Sequence, residues 1–256
     1  MSVLTYLQQR ASDAVLSSGE NASITTSITT LGSRLNSHFG ATVTEHFRFG
    51  SSTRGTILPR SMDAQSDIDY MVVFGDAGYT PQTYLDRLKR FVERYYSRSE
   101  IYQSSPTIVL ELNHIRFELV PALKGIWSSY QIPDGSAAWR STDPNGFNAK
   151  LTAKNNAELS LIKPTIRLAK LWNATAGYVF ESYGLEQWIV DQYYPYSSNQ
   201  KQYLFQVFDL MSVYGLAQWK KDKVQRAKDI VVKVRQYEAG DMPYSAEAEV
   251  KKLIPA

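Results

Sequence analysis

Three carboxylates stand out by type and spacing. Asp67 and Asp69 are two apart at the start of a run, Ile68 to Phe74, that reads as a strand. Their side chains therefore leave one face while Ile68 and Tyr70 leave the other. In the later run Ile115 to Val120, the residues Arg116, Glu118 and Val120 share a face, opposite the apolar Ile115, Phe117 and Leu119. Glu118 can then act as a third acid. Hard carboxylate oxygens suit a pair of magnesium ions, which hold a triphosphate, lower the pKa of an attacking hydroxyl and stabilise charge on a leaving pyrophosphate. A bare D-x-D pair also occurs on solvated surfaces, so the pair alone does not decide.

A glycine-containing segment adds to it. Gly50-Ser51 closes the preceding strand, where backbone amides and the Ser51 and Ser52 hydroxyls can hold phosphate oxygens without adding charge, and Gly55-Thr56 repeats that compact polar chemistry. Strand, Gly-Ser, strand with D-x-D, then a later strand acid is an ordered combination that points to nucleotide transfer. Arg54 either meets phosphate or belongs to the turn, and the turn role is preferred. Lys170 follows Arg167 by three on a helical stretch, where a phosphate clamp and a solvated helix face look alike; Lys154 and Lys163 have no distinguishing feature. Tyr183 can stack on a base or pack in a core. Asn155, Asn156 and Asn173 can present amides to a base, cap helices or face solvent.

The elements that must position these groups follow from periodicity. Helical spacing covers 3–16 and 24–39, and Val43–Phe49 alternates as a half-buried strand. A turn segment runs from Gly50 to Ser66. After the Ile68–Phe74 strand, Pro81 opens a helix whose apolar face is Tyr84, Leu85, Leu88, Phe91, Val92 and Tyr95. Short strands are expected at 100–102, 107–112 and 115–120, the last two joined by Asn113-His114 as a hairpin. Residues 125–147, rich in Gly, Ser, Pro and Asn, read as a long connection with Trp127, Tyr130 and Trp139 as packing anchors. Helices are expected at 148–174, kinked or divided near Pro164, and at 181–193, 201–218, 222–238 and 245–253.

Composition narrows the chemistry. The chain of 256 residues has no cysteine, which excludes thiolate metal sites, disulfides and a cysteine nucleophile, and any metal must take oxygen ligands. Its three histidines, His38, His46 and His114, fall on different elements and lack metal-ligand spacing. A net charge of +3 does not support a general nucleic-acid-binding surface. The charge is uneven: residues 1–149 hold 13 basic and 14 acidic residues, and residues 150–256 hold 15 and 11. The basic run Lys220 to Lys228 alternates with other residues as solvated helix faces do, and no site is assigned to it. No run has the pattern of a secretory signal or the length of a membrane span, so a cytoplasmic location without membrane contact is expected.

Several segments resemble the nucleotidyltransferase superfamily that includes DNA polymerase beta, and more narrowly the bacterial relatives of cGAS and oligoadenylate synthase, the CD-NTases. They are Phe49-Gly50-Ser51-Ser52-Thr53-Arg54-Gly55-Thr56, Ser66-Asp67-Ile68-Asp69-Tyr70 and Phe117-Glu118-Leu119-Val120-Pro121, with further similarity at Trp139, Thr142-Asp143-Pro144, Leu168 to Asn173 and Ser182 to Glu186. The resemblance implies an α+β fold: a polymerase-beta-like core with a mixed sheet over 40–124, a helical domain over 125–256, and N-terminal helices over 1–39 bridging the lobes. It also implies that Ser51 contacts the triphosphate, beside Gly50 and Ser52 of the same turn, that Asp67, Asp69 and Glu118 bind Mg2+ or, in its place, Mn2+, and that Lys170 and Ser182 reach the phosphates from the helical lobe, where Tyr183 stays a candidate for stacking on a base. The substrates would be nucleoside triphosphates, ATP by default, with a second nucleotide as acceptor. Products would be cyclic or short linear oligonucleotides of the kind used in antiphage defence. Transfer to a protein, RNA or small hydroxyl compound, or an inactive nucleotide-binding module, are the alternatives, and no regulatory protein partner is indicated. Two departures from the family pattern are the glutamate at 118, where aspartate is usual, and the 15 residues between Ser51 and Asp67.

Overall fold

The computed structural model describes residues 2–126 and 129–256; the expected anchor Trp127 lies outside them. The chain divides into two compact units. One comprises Leu16–Arg60 and Ala64–Asn148, the other Met1–Val15, Ser61–Asp63 and Ala149–Ala256.

The first unit is built on a mixed sheet. Val43–Arg48 (β1), Asp67–Phe74 (β2), Glu100–Ser104 (β3), Thr107–Glu111 (β4) and Arg116–Lys124 (β5) lie in the order β1-β2-β5-β4-β3. β2 and β5 are parallel and the other pairs antiparallel. A parallel pair requires a crossover, and Pro81–Tyr95 (α4) forms part of it. Pro81 opens α4, whose Tyr84, Leu85, Leu88, Phe91 and Val92 are buried at helical spacing. With Ile24, Leu31 and Leu35 of Ser18–Phe39 (α2), they cover Ile68, Tyr70, Val72, Phe117 and Leu119 on one face of the sheet. Beyond Asp69, β2 is buried on both faces, so Tyr70–Phe74 reads as an apolar run rather than an alternation.

α2 starts six residues before the expected helix. Its start is a capping box: Ser17 Oγ accepts from the Glu20 amide and the Glu20 carboxylate accepts from the Ser17 amide. The weak helix formers that follow conceal it, and Thr25, Thr26, Thr29 and Thr30 all turn their hydroxyls back to carbonyls four residues earlier. Residues 125–147 are also not the expected long connection. Tyr130–Asp134 (β6) and Ala138–Thr142 (β7) form a hairpin joined to the end of β5, and Gly135 takes the positive φ of 74° that the turn requires. Trp139 does pack, edge-on to Tyr84 at 5.5 Å, and Tyr130 lies 5.4 Å from the Phe47 ring.

The second unit is helical: Val3–Asp13 (α1), the greater part of Gly146–Ala157 (α5), Ile162–Thr175 (α6), Ser182–Asp191 (α7), Gln200–Leu210 (α8), Gln218–Ala239 (α9) and Pro243–Leu253 (α10). The helical stretch expected over 148–174, kinked or divided near Pro164, is divided into two helices. A proline ring at 164 clashes with the carbonyl of residue 160 in a continuous helix, and the chain instead breaks at Leu159 and Ser160, with φ of 55° and 60°, so that Pro164 sits in the first turn of α6. α8 stops at Leu210, well short of 218, and α9 begins at Gln218. The Tyr6 hydroxyl donates to the Ile254 carbonyl at 2.6 Å, fastening the two ends of the chain together. No described helix is long and apolar enough to cross a membrane.

Candidate active site

Backbone register decides which side chains meet. Across β2 and β5, Asp69 stands opposite Glu118 and Asp67 opposite Arg116. Across β4 and β5, Arg116 stands opposite Glu111 and Glu118 opposite Val109. Residues opposite one another project to the same face. That face therefore carries the row Asp67, Arg116, Glu111 and beside it the row Asp69, Glu118, Val109. Farther along the same strands it turns apolar, where Met71, Val73, Val120 and Ala122 pack with Ile132. Asp67, Asp69 and Glu118, each half-buried, lie where that apolar cover ends.

The Gly-Ser segment adjoins this face. The Phe49 amide donates to the Asp69 carbonyl at 3.0 Å, tying the end of β1 to the D-x-D strand. Gly50 follows with φ 70° and ψ −151°, a conformation open essentially to glycine alone. A methyl group there would overlap the Asp69 carboxylate, with Asp69 Cγ only 2.8 Å away. Glycine at 50 thus leaves the room that Asp69 occupies. Ser51–Arg54 (α3) forms a single helical turn. Ser51 opens it, whereas the Ser52 hydroxyl donates to the Phe49 carbonyl at 3.1 Å and serves the turn. Arg54 is buried, at 6% exposure, with its guanidinium 5.6 Å from the Phe147 ring.

Arg116 dominates the electrostatics. Its guanidinium donates to Glu118 Oε1, and its Nε lies 3.7 Å from Glu111 Oε1. Arg60 holds the other oxygen of Glu111 at 3.3 Å. Burial pulls the Arg116 pKa down, but the charges of Glu118, Tyr102 and Asp67 outweigh it and the value is raised, so the guanidinium stays charged. Among the described residues no three Asp, Glu or His side chains are drawn together as a finished metal cage. As a donor set, however, Asp67, Asp69 and Glu118 fit a hard divalent ion: all are oxygen ligands on one face, two of them adjacent in register, beside the space that Gly50 leaves.

The other expected site residues lie in the helical unit. Lys170 is not on a solvated face: it is 7% exposed and its Nζ lies 3.1 Å from Glu186 Oε1, whose residue is fully buried. Ser182 opens α7, where the preceding Glu181 carboxylate accepts from the Tyr183 and Gly184 amides. Tyr183 is exposed, its hydroxyl 3.2 Å from Gln187 Nε2. Asn173 exchanges two 2.9 Å bonds with the Phe180 backbone, and Asn155 accepts from the Lys163 amide, so both have architectural tasks. Asp63, midway along the long segment before β2, accepts from the Tyr178 hydroxyl at 2.6 Å within the helical unit. The histidines are likewise structural. His38 lies among Phe39, Phe91 and Tyr95, His46 bonds Tyr70 and Asn36, and His114 bonds Ser27.

Sequence reasoning missed the parts of Arg116, Glu111 and Arg60. For Arg116 a signal existed, since R-x-E on one strand places both side chains on one face. Arg60 to Glu111 spans 51 residues and had none.

Residues 1–155 match the family described as Second Messenger Oligonucleotide or Dinucleotide Synthetase domain. A protein of Bacillus cereus (strain VD146) named "Probable cyclic nucleotide synthase" is 28% identical over 210 residues, 65% of this chain and 62% of that protein, so the chain spans less than two thirds of that relative. Among solved structures, Escherichia coli MS115-1 CdnC with ATP aligns with a TM-score of 0.73 at 15% identity over 100% of this chain and 98% of that one. Bradyrhizobium diazoefficiens CdnG, a CD-NTase in complex with GTP, aligns with a TM-score of 0.71 at 11% identity over 97% of each chain. At these identities the likeness shows the fold: a polymerase-beta-like core sheet with a helical lobe, as expected.

Proposed function

The chain belongs to the Second Messenger Oligonucleotide or Dinucleotide Synthetase domain family, and on that premise we propose that it joins nucleoside triphosphates into cyclic or short linear oligonucleotides with release of pyrophosphate. The observation that carries this reading is the register of β2 and β5, which sets Asp69 beside Glu118 with Asp67 two residues away on the same face. Asp67, Asp69 and Glu118 would hold Mg2+, or Mn2+ in its place. When bound, such ions lower the pKa of an attacking hydroxyl and offset charge on the leaving group. The chain's own contribution is positional. The β2–β5 ladder fixes the spacing of the acids, the Phe49 amide holds the strand beneath Asp69, and Gly50 keeps its carboxylate unobstructed. Ser51 is assigned to the triphosphate. Lys170 and Ser182 are assigned to phosphate contacts by family resemblance alone, Tyr183 to base stacking because an aromatic ring accepts a base face, and ATP is the default donor for this class.

The test is incubation of the purified protein with all four ribonucleoside triphosphates and Mg2+, followed by mass spectrometry. Cyclic or linear oligonucleotides formed without any added acceptor are expected, and none should form when Asp67 is replaced by Asn. Product appearing only on a supplied RNA, protein or small hydroxyl compound would replace this reading with acceptor transfer.

A further inference from the structure

Four acids, Asp67, Asp69, Glu111 and Glu118, share the face at whose centre Arg116 lies. The guanidinium is committed to Glu118. Its Nε, though buried, makes no hydrogen bond, because Glu111 Oε1 stands 3.7 Å away, beyond bonding reach. A buried donor left unmet is costly, and here its natural acceptor is one short movement off. Glu111 is itself held in place by Arg60. Arg116 thus has two carboxylates to choose between: one it grips, on the residue assigned to metal binding, and one that waits on the neighbouring strand.

We propose that Arg116 is a positioning residue that occupies the cation's place in the metal-free protein, holding Glu118 to itself and releasing it, by moving onto Glu111, when a divalent ion enters. This rests on the assignment of Asp67, Asp69 and Glu118 as metal ligands. Two consequences follow. Without metal, the guanidinium offsets the mutual repulsion of the acids and so supports the fold. With metal, breaking the Arg116–Glu118 bond costs part of the binding free energy, so the ion is held more loosely than three carboxylates alone would hold it. Ion entry is then coupled to a change of partner within one sheet face, and ions that bring further attraction, such as those arriving with a triphosphate, are favoured over bare ions.

The experiment measures Mn2+ binding without nucleotide, by loss of the free-ion paramagnetic resonance signal, alongside thermal melting. Arg116→Gln is expected to bind Mn2+ about tenfold more tightly than wild type, the opposite sign from the roughly 10–100-fold loss that follows removal of a group supporting a metal ligand. Its metal-free melting temperature should fall and Mn2+ should restore it. Arg48→Gln removes the same charge from an exposed position opposite Tyr70, on the other face of the sheet, and should leave the affinity within about threefold of wild type, as for a surface charge screened by salt. Should Arg116→Gln not fold, Arg116→Met, which likewise removes the charge and keeps much of the side-chain length, is read in the same direction. Equal or weaker Mn2+ binding by the folded Arg116 variant overturns the proposal, as does equal tightening by Arg48→Gln, which would reduce the effect to net charge. Asp67→Asn separates the two layers. Undiminished Mn2+ binding in that variant removes the ligand assignment and this proposal together. Weakened binding there, beside an unchanged Arg116→Gln, removes only the exchange of partners.

Discussion

Asp67 and Asp69 on one face of β2, and Ile68 and Tyr70 on the other, are neighbours along the chain yet occupy opposite physical regimes. The even-numbered side chains lie under α2 and α4, where burial of apolar surface pays for the order imposed on the chain. Asp67 and Asp69 stand half in water, with like charges set side by side by the ladder to Glu118. A single strand can do both because side chains alternate. The helices that stabilise one face specify the backbone precise enough to crowd acids on the other. Stability and chemistry are therefore separable on this strand, residue by residue, and substitutions on its two faces should respond differently.

The largest expected contrast pairs Asp69→Asn with Ile68→Ala. Removing the Asp69 charge should lower product formation by about 10²-fold or more, the scale of losing a strong transition-state electrostatic contact, with melting unchanged or raised because one repelling charge has gone. Ile68 is fully buried, and its truncation should cost about 2–5 kcal/mol of stability while turnover per folded molecule stays near wild type. Denaturant melts beside turnover for both variants check this. A destabilised Asp69→Asn with normal turnover would reverse the assignment of the faces.

Gly50→Ala tests whether the acid's room matters. Its backbone conformation costs a non-glycine residue about 1–3 kcal/mol, and the new methyl must push the Asp69 carboxylate aside. Turnover should fall nearly as far as in Asp69→Asn, with a stability loss that Asp69→Asn does not share. Normal turnover in a folded Gly50→Ala would show that Asp69 tolerates displacement. On the covered face, Tyr70→Phe removes the hydroxyl that bonds His46 Nδ1 at 2.7 Å. It should cost about 1 kcal/mol, the net worth of one such bond, without changing the metal dependence of turnover.

The sheet's helices and strands were legible because their signals are local. α4 carries Pro81 and an unbroken apolar stripe, and β2 and β5 carry runs dense in Val, Ile, Leu and Phe. What was not legible depends on long-range pairing. No local feature states that residue 69 meets residue 118 across a crossover, although alternation alone placed Asp67 with Asp69 and Arg116 with Glu118. The β6–β7 hairpin was hidden by Gly, Ser and Pro that also suit a loop, and the break at Leu159 by a helical pattern on either side of it. For Lys170 a phosphate clamp and a solvated face looked alike, because its partner, Glu186, comes from the next helix. At the site the residue types were readable, and the charge balance set by Arg116 and Glu111 required the register.

The smallest expected effect is a pH dependence confined to the covered face. His46 lies between α2 and the sheet, its Nδ1 2.7 Å from the Tyr70 hydroxyl and its Nε2 3.0 Å from Asn36 Oδ1. With the amide oxygen facing it, Nε2 carries the proton and donates, and Nδ1 accepts from Tyr70, whose own pKa burial pushes up to about 12. Burial lowers the His46 pKa from its ordinary value near 6.5. The unfolded chain therefore binds the proton more readily than the folded one. Between the lowered folded value and 6.5, stability rises with pH; above about 7 the contribution is flat, and on acidification it is lost progressively as pH drops through that window. Burial, with Arg94 second, lowers His38 in the same way, so the two histidines add. Melting temperature followed from pH 7.5 to 5.5 should decline, and His46→Gln, which keeps a polar group but cannot titrate, should flatten the decline in part, leaving the His38 share. An undiminished slope in His46→Gln would mean that the pH response arises away from the His46–Tyr70 pair.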